Sequence, residues 1–210
     1  IVQGWYGGTE SGNALADVLT GKVNPSGRLP FTVPFRYEDG PIKTEAQYPG
    51  IKAEGDEYWQ THYSEGVYVG YRWYSSKKIK VQFPFGHGLS YTTFAYANAK
   101  ADQPEMTADQ TLKVSVDVTN TGATDGAEVV QLYISDVKST IDRPVKELKN
   151  FEKVYLKAGE TKTVTFEIDA EDLSYFDADK HEWVLEKGKF TAFIGAASDD
   201  IRTQVEFEVI

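Results

Sequence analysis

The chain has 210 residues, 40% of them hydrophobic and 26% charged, with a formal charge of -10 and no cysteine. That balance supplies enough apolar material for a core, while the absence of cysteine excludes a disulfide framework and thiolate chemistry. No apolar run approaches the roughly 18 residues of a membrane helix, and no Lys/Arg cluster offers a duplex-binding face, so neither membrane nor nucleic acid is expected as a partner.

Ile1-Val2-Gln3-Gly4-Trp5-Tyr6 reads like the end of a buried strand. Such a strand needs neighbours on its edges and apolar face, which predicts that Ile1 follows a cleavage or truncation. Gly7 and Gly8 turn the chain into a predicted helix over residues 10–20, where Ala14, Leu15, Val18 and Leu19 share one face. Thr9 is the expected N-cap, Glu10 suits the positive helix end, and Gly21 supplies the stop. Strand, glycine turn and helix form half of an α/β unit, whose sheet must be completed by other chain.

Asn24-Pro25-Ser26-Gly27 is a turn signal, and Pro25 blocks its glycosylation sequon. Leu29 to Pro34 is extended because proline excludes helix there. Residues 36–64 form a long polar loop with Pro41 and Pro49, a kind of segment that is often functional. Val67 to Tyr74 reads as an aromatic strand.

From residue 110 the period becomes two: Leu112, Val114, Val116 and Val118 alternate with polar residues. Further strands are predicted over 129–134, 151–157, 162–168, 189–195 and 203–209. Short strands at regular spacing indicate an antiparallel sandwich. Residues 1–96 hold nine basic and nine acidic residues, and 97–210 hold thirteen and twenty-three, which places a boundary near residue 97.

Candidate chemistry is sparse. Glu54, Asp56 and Glu57 read as a solvated loop face more than a catalytic pair. Glu10 sits where α/β folds place ligands, though a first-turn acid also stabilises a helix. His62, His87 and His181 lack companions at metal-ligand spacing, and Asp177, Asp179 and Glu182 fit a hairpin tip better than a calcium loop. Neither a dinucleotide fingerprint nor a nucleophile elbow occurs. Tyr58, Trp59, Tyr63, Tyr68, Tyr71, Trp73 and Tyr74 form a dense aromatic run. Such rings stack on sugars or pack between domains; packing suits residues 67–74, and either role suits Trp59.

Several segments in order resemble the C-terminal part of glycoside hydrolase family 3. They are Trp5-Tyr6-Gly7-Gly8-Thr9-Glu10-Ser11-Gly12, Asn24-Pro25-Ser26-Gly27-Arg28-Leu29-Pro30, the stretch from Tyr63 to Tyr74, and Phe83 to Phe94 with its Phe85-Gly86-His87-Gly88 centre. Val118 to Gly122, Gly126 to Tyr133, Arg143 to Leu148 and Asp200 to Arg202 continue the pattern. The resemblance implies a mixed fold: the terminal piece of an α/β sandwich domain (1–34), a loop-rich aromatic linker (35–96) and an all-β immunoglobulin-like, fibronectin type III-like sandwich (97–210).

It also implies a retaining β-glucosidase, with β-xylosidase as a variant. Its nucleophile belongs to a barrel domain and its acid/base lies upstream of Trp5, so no catalytic residue falls in this chain. It implies no metal or cofactor. The N-terminal remainder of the enzyme and a β-linked oligosaccharide are the implied partners, and a secreted or periplasmic setting is favoured. Glu10 and Trp59 are carried forward as candidate substrate contacts. The alternative is a non-catalytic carbohydrate-binding or structural interaction module.

Overall fold

Alternation in residues 112–120 is reproduced residue by residue: Leu112, Val114, Val116, Val118 and Asn120 are all fully buried while their neighbours face outward. A strand shows this pattern when one face packs on a core and the other meets water. The computed structural model describes residues 1–210. In chain order its elements are helix α1 (Ser11–Leu19), β1 (Val33–Pro34), a 3-10 turn (Tyr37–Asp39), α2 (Tyr71–Ser76), β2 (Val81–Phe83), β3 (Phe94–Ala101), β4 (Glu105–Met106), β5 (Leu112–Asn120) and β6 (Gly126–Asp136). There follow β7 (Glu147–Leu156), β8 (Thr161–Ile168), α3 (Ala170–Leu173), β9 (Tyr175–Asp177), β10 (Glu182–Val184), β11 (Gly188–Ala197) and β12 (Asp200–Val209).

Two sheets make the sandwich. One has five strands in the order β4-β12-β11-β6-β7, the other three in the order β3-β5-β8. All neighbours run antiparallel except β4, which lies parallel to β12. Between them sits a core of 19 buried residues, with Val114, Val116 and Phe166 contributed from one sheet and Leu132, Phe190, Ile194 and Phe207 from the other. Burying each of the larger side chains contributes about 1.5–3 kcal/mol. Asn120 is the buried polar exception, and it is fully partnered: it accepts from Thr92 Oγ1 (2.6 Å) and Gly122 N (3.1 Å) and donates to Thr124 O and Leu156 O.

The first ninety residues differ from this. Helix α1 forms where the apolar spacing predicts it, and Gly21 ends it at φ 76, a conformation that favours glycine. Its cap is not Thr9, however. Glu10 occupies the N-cap position with no side-chain cap bond, and its carboxylate accepts from Asn13 Nδ2 instead. The helix buries no residue, and Leu15 and Leu19 stand exposed on its apolar face.

Residues 1–6 form no strand, since nothing within these 210 residues pairs with them. The predicted strand over Val67 to Tyr74 is instead the one-and-a-half-turn helix α2, entered through Gly70 at φ 59. Tertiary bonds outweigh aromatic β-propensity there: Trp73 Nε1 donates to Asp39 O at 2.9 Å, Tyr71 Oη accepts from Leu148 N at 2.7 Å, and Tyr74 is buried. The long loop is ordered around buried Gln47, whose Nε2 donates to Pro41 O and Glu65 Oε2, and a bridge pairs Ile51 with Gln60.

Candidate functional site

Polar side chains cross the seam between the first ninety residues and the sandwich at two hubs. Asn24, at the turn after α1, is its first hub. Its Nδ2 donates to Asp125 O (2.9 Å), and its Oδ1 accepts from Ser90 Oγ and Tyr91 N. Tyr91 in turn donates its hydroxyl to Val18 O at 2.8 Å, which ties α1 to the same point. Four residues on, Arg28 Nη2 meets Glu128 Oε1 on β6 at 2.8 Å. The two side chains are only 9% and 5% exposed, so the pair is shielded from water. Charge-assisted bonds of this kind are short, but each partner is costly to bury without the other.

Gln131 is the second hub. Its Nε2 donates to Gly86 O and Ala196 O, and its Oε1 accepts the Tyr133 hydroxyl at 2.6 Å. Gly86 has φ 81, and a Cβ there would lie 2.1 Å from Gln131 Oε1. This explains the glycine at the centre of the motif that bridges both halves. Gly86→Ala is expected to lower the Tm by several degrees through combined strain and collision, read by thermal denaturation. The His87 ring stacks on Phe83 at 5.4 Å, and its carbonyl accepts Leu29 N.

A second charged chain runs from α2 into the sandwich. Arg72 Nη2 and Arg143 Nη2 both reach Glu147, at 3.2 and 3.1 Å, and Arg143 Nη1 lies 3.8 Å from Asp136 Oδ2. Glu186 accepts from Ser139 and Thr140 and so pins the β6–β7 loop. Burial pushes the Asp136 carboxyl above its usual range; Glu186 adds to this, while the Lys138 amide and Arg143 oppose it. A carboxyl raised on folding binds more protons in the native state than in the unfolded chain. Stability therefore falls as pH climbs from the ordinary value of 3.8 through the raised one. Asp136→Asn is expected to raise the Tm at pH 7 and to match the parent protein below about pH 3.8, measured as Tm against pH.

The sequence candidates lie away from these hubs. Glu10 is exposed and bonded only within its own helix turn. Trp59 is 63% exposed beside the Ile51–Gln60 bridge, flanked by exposed Tyr58 and Tyr63. Glu54, Asp56 and Glu57 belong to the same loop, where Asp56 accepts from Ala53 N and Gln60 Nε2. Asp177 closes the β9–β10 turn by accepting from Asp179 N and Lys180 N. Sequence reasoning missed the Arg28–Glu128 pair and the Gln131 hub, because partners 100 and 45 residues apart leave no local signal.

The arrangement defines a class: an α/β-type piece fastened by polar hubs to an immunoglobulin-like sandwich. Comparison with known proteins gives the family. Residues 1–91 match the glycosyl hydrolase family 3 C-terminal domain, and residues 128–198 match the fibronectin type III-like domain. The chain belongs to glycoside hydrolase family 3, as a C-terminal part.

It is 49% identical to beta-glucosidase BoGH3A of Bacteroides ovatus over 100% of its own length and 28% of that protein's. It is 45% identical to thermostable beta-glucosidase B of Acetivibrio thermocellus, across 96% of this chain and 26% of the other. Among solved structures, beta-glucosidase 3B of Thermotoga neapolitana with bound α-D-glucose superposes with a TM-score of 0.86 at 40% identity, covering 97% of this chain and 27% of that one. The Bifidobacterium adolescentis enzyme does so with a TM-score of 0.86 at 39% identity, over 95% and 28%. The chain thus spans about a quarter of the length of the relatives it matches.

Proposed function

We propose that this chain is the C-terminal portion of a retaining, exo-acting β-glucosidase that removes terminal β-linked glucose from oligosaccharides. The observation that carries this reading is the bare face of residues 1–35. Trp5, Tyr6, Leu15, Leu19, Val23, Phe31 and Phe35 are all at least 42% exposed, and α1 buries no residue at all. Such surface marks an interaction site, and the occupant that completes an α/β unit is the preceding part of the same enzyme. In this reading residues 1–34 finish the α/β domain, 35–96 connect, and 97–210 form the bracing sandwich.

A retaining mechanism needs two carboxylates about 5–5.5 Å apart, one as nucleophile and one as acid/base. Both belong to the remainder. This chain's contribution is to hold the α/β domain's last elements in place through Asn24 and Arg28, with Gln131 gripping the connection at Gly86. Trp59, with its exposed face, is assigned to stacking on substrate beyond the cleaved glucose, and Glu10 to the helix end that faces the α/β crevice.

The test is hydrolysis of an aryl β-glucoside and of a β-linked disaccharide. The chain alone is expected to be inactive, and the chain assembled with its N-terminal remainder active. Trp59→Ala in the assembled enzyme is expected to raise KM for the disaccharide several-fold with kcat little changed, because it removes stacking common to ground and transition states. An inactive assembly with correctly folded parts would overturn the enzyme reading. Binding of glucans by the isolated chain, lost in Trp59→Ala, would support a carbohydrate-binding module instead.

A further inference from the structure

In a chain of formal charge -10, one cleft is lined by cations. It lies between β1–β2, the end of α2 and the sandwich, has a volume of about 370 Å³, and is walled on its apolar side by Tyr71 and Tyr74. Lys78, Lys80 and Lys146 line it, with Asp199 as the single carboxylate. None of the three lysines takes part in any of the chain's ion pairs. The Thr32 hydroxyl also lines the cleft, and its oxygen is buried without a hydrogen-bond partner. Buried polar atoms are satisfied in the great majority of cases, and a polar ligand in this cleft would satisfy the orphan hydroxyl and the unpaired ammonium groups together.

Two further features point the same way. Burial pushes the Lys146 ammonium below its usual range, with Asp199 only partly offsetting this, so its charge is held at a cost. Lys78 ends α2 in a left-handed conformation, φ 55, with Ile79 N bonding to Tyr74 O and Lys78 N to Ser75 O. That pair of bonds is the Schellman closure, whose left-handed position normally holds glycine. A lysine there is strained by its own Cβ. Strained non-glycine residues concentrate at functional sites. The helix C-terminus accounts for a cation near Lys77 and Lys78, but it accounts for neither Lys80 nor Lys146, which come from other segments.

By contrast, the cleft of about 450 Å³ lined by Asn24, Asp125, Tyr155 and Lys162 has its polar groups bonded to one another. Asn24 donates to Asp125 O and Lys162 Nζ to Tyr155 O, and Asp125 Oδ1 accepts from Ala158 N.

We propose that the cleft formed by Thr32, Lys78, Lys80 and Lys146 binds a small dianion, either a phosphate monoester or a compact dicarboxylate. Ammonium groups on three separate rotatable stems suit a compact, multiply charged anion. The tyrosine wall accommodates an uncharged body attached to it. The site is distinct from the candidate sugar contacts at Glu10 and Trp59 and does not depend on the glucosidase reading.

The experiment is thermal denaturation of the chain at low ionic strength with inorganic phosphate, glucose 6-phosphate, malonate or neutral glucose. Amide chemical shifts of residues 78–80 are followed in parallel. At ten times its dissociation constant, a bound dianion is expected to raise the Tm by about 4 °C. Glucose should leave it unmoved.

Lys78→Gly is the decisive variant, because it relieves the strained closure. Its unliganded Tm should be equal to or above the parent's, while dianion affinity falls at least tenfold. Lys80→Gln should weaken binding without altering the unliganded Tm, and Lys157→Gln, remote from the cleft, should change nothing. A preference for glucose 6-phosphate and phosphate over malonate identifies a phosphorylated ligand, and the reverse identifies a dicarboxylate. Equal shifts in parent and Lys78→Gly, no shift with any dianion, or the same shift with neutral glucose would each overturn the proposal.

Discussion

Glu128→Ala is expected to cost about 3–5 kcal/mol, because it leaves the Arg28 guanidinium, 9% exposed, buried without a counter-charge. The loss comes from stranding an ion and is larger than the net worth of the pair. Arg28→Met combined with Glu128→Leu should therefore recover much of it. The site of damage is equally specific. Arg28 belongs to the terminal α/β piece and Glu128 to β6, so breaking the pair loosens their attachment before it melts the sandwich. Limited proteolysis should cut the variant within residues 1–91 at protease levels that spare the parent. Amide exchange in β5 and β11 should stay slow in both proteins. Uniform acceleration of exchange across the sandwich would show that the seam and the sandwich unfold as one unit.

Phe190→Ala should be of similar size and opposite character, about 3–5 kcal/mol lost from the sandwich itself. Phe190 is 1% exposed, pairs in register with Phe207, and stacks on it at 5.7 Å with an interplanar angle of 17°. Removing the ring deletes buried area and leaves a cavity that residues beside it in the sheet, such as Phe207, Ala192 and Ile134, can only partly fill. For a chain of this size the Tm should drop by about 10 °C, with the denaturant slope unchanged. The two variants sit on different parts of the molecule. Their effects are expected to add within about 0.5 kcal/mol, and a larger coupling would mean that the core and the seam share strain.

The sandwich strands were legible because each carries its own signal. In β5 and β8 one face is buried and the other wet, so alternation names the strand and its orientation at once. β6 runs from Gly126 to Asp136, longer than the predicted 129–134, because both of its faces are largely covered and its ends show no change of period. β3 went unread since Ala95, Ala97, Ala99 and Ala101 alternate without the β-branched residues that mark a strand. α2 was misread for the converse reason: Tyr71, Trp73 and Tyr74 favour strands locally, and only bonds to Asp39 and Leu148 hold them in a helix.

The glycines followed the same divide. Gly21 could be placed as a helix stop from its neighbours alone. Gly86 could be explained only once Gln131, 45 residues away in sequence, was found beside it. The candidate site was less legible still. Glu10 and Trp59 could be singled out by residue type and context, whereas the hubs at Asn24, Arg28 and Gln131 are defined by partners far away in sequence. Family resemblance reached further than periodicity here, since it links whole segments whose pairing no local pattern encodes.

The same distances set an order of events during synthesis. Arg28 is made 100 residues before Glu128. At translation rates of about 5–20 residues per second, the terminal α/β piece waits about 5–20 s before its anchor exists. During that interval Asn24 and Arg28 lack the sandwich partners, Asp125 and Glu128, that later fix them. Assembly of this chain is thus timed by the ribosome: the part that docks is made first, and the surface that receives it about a hundred residues later.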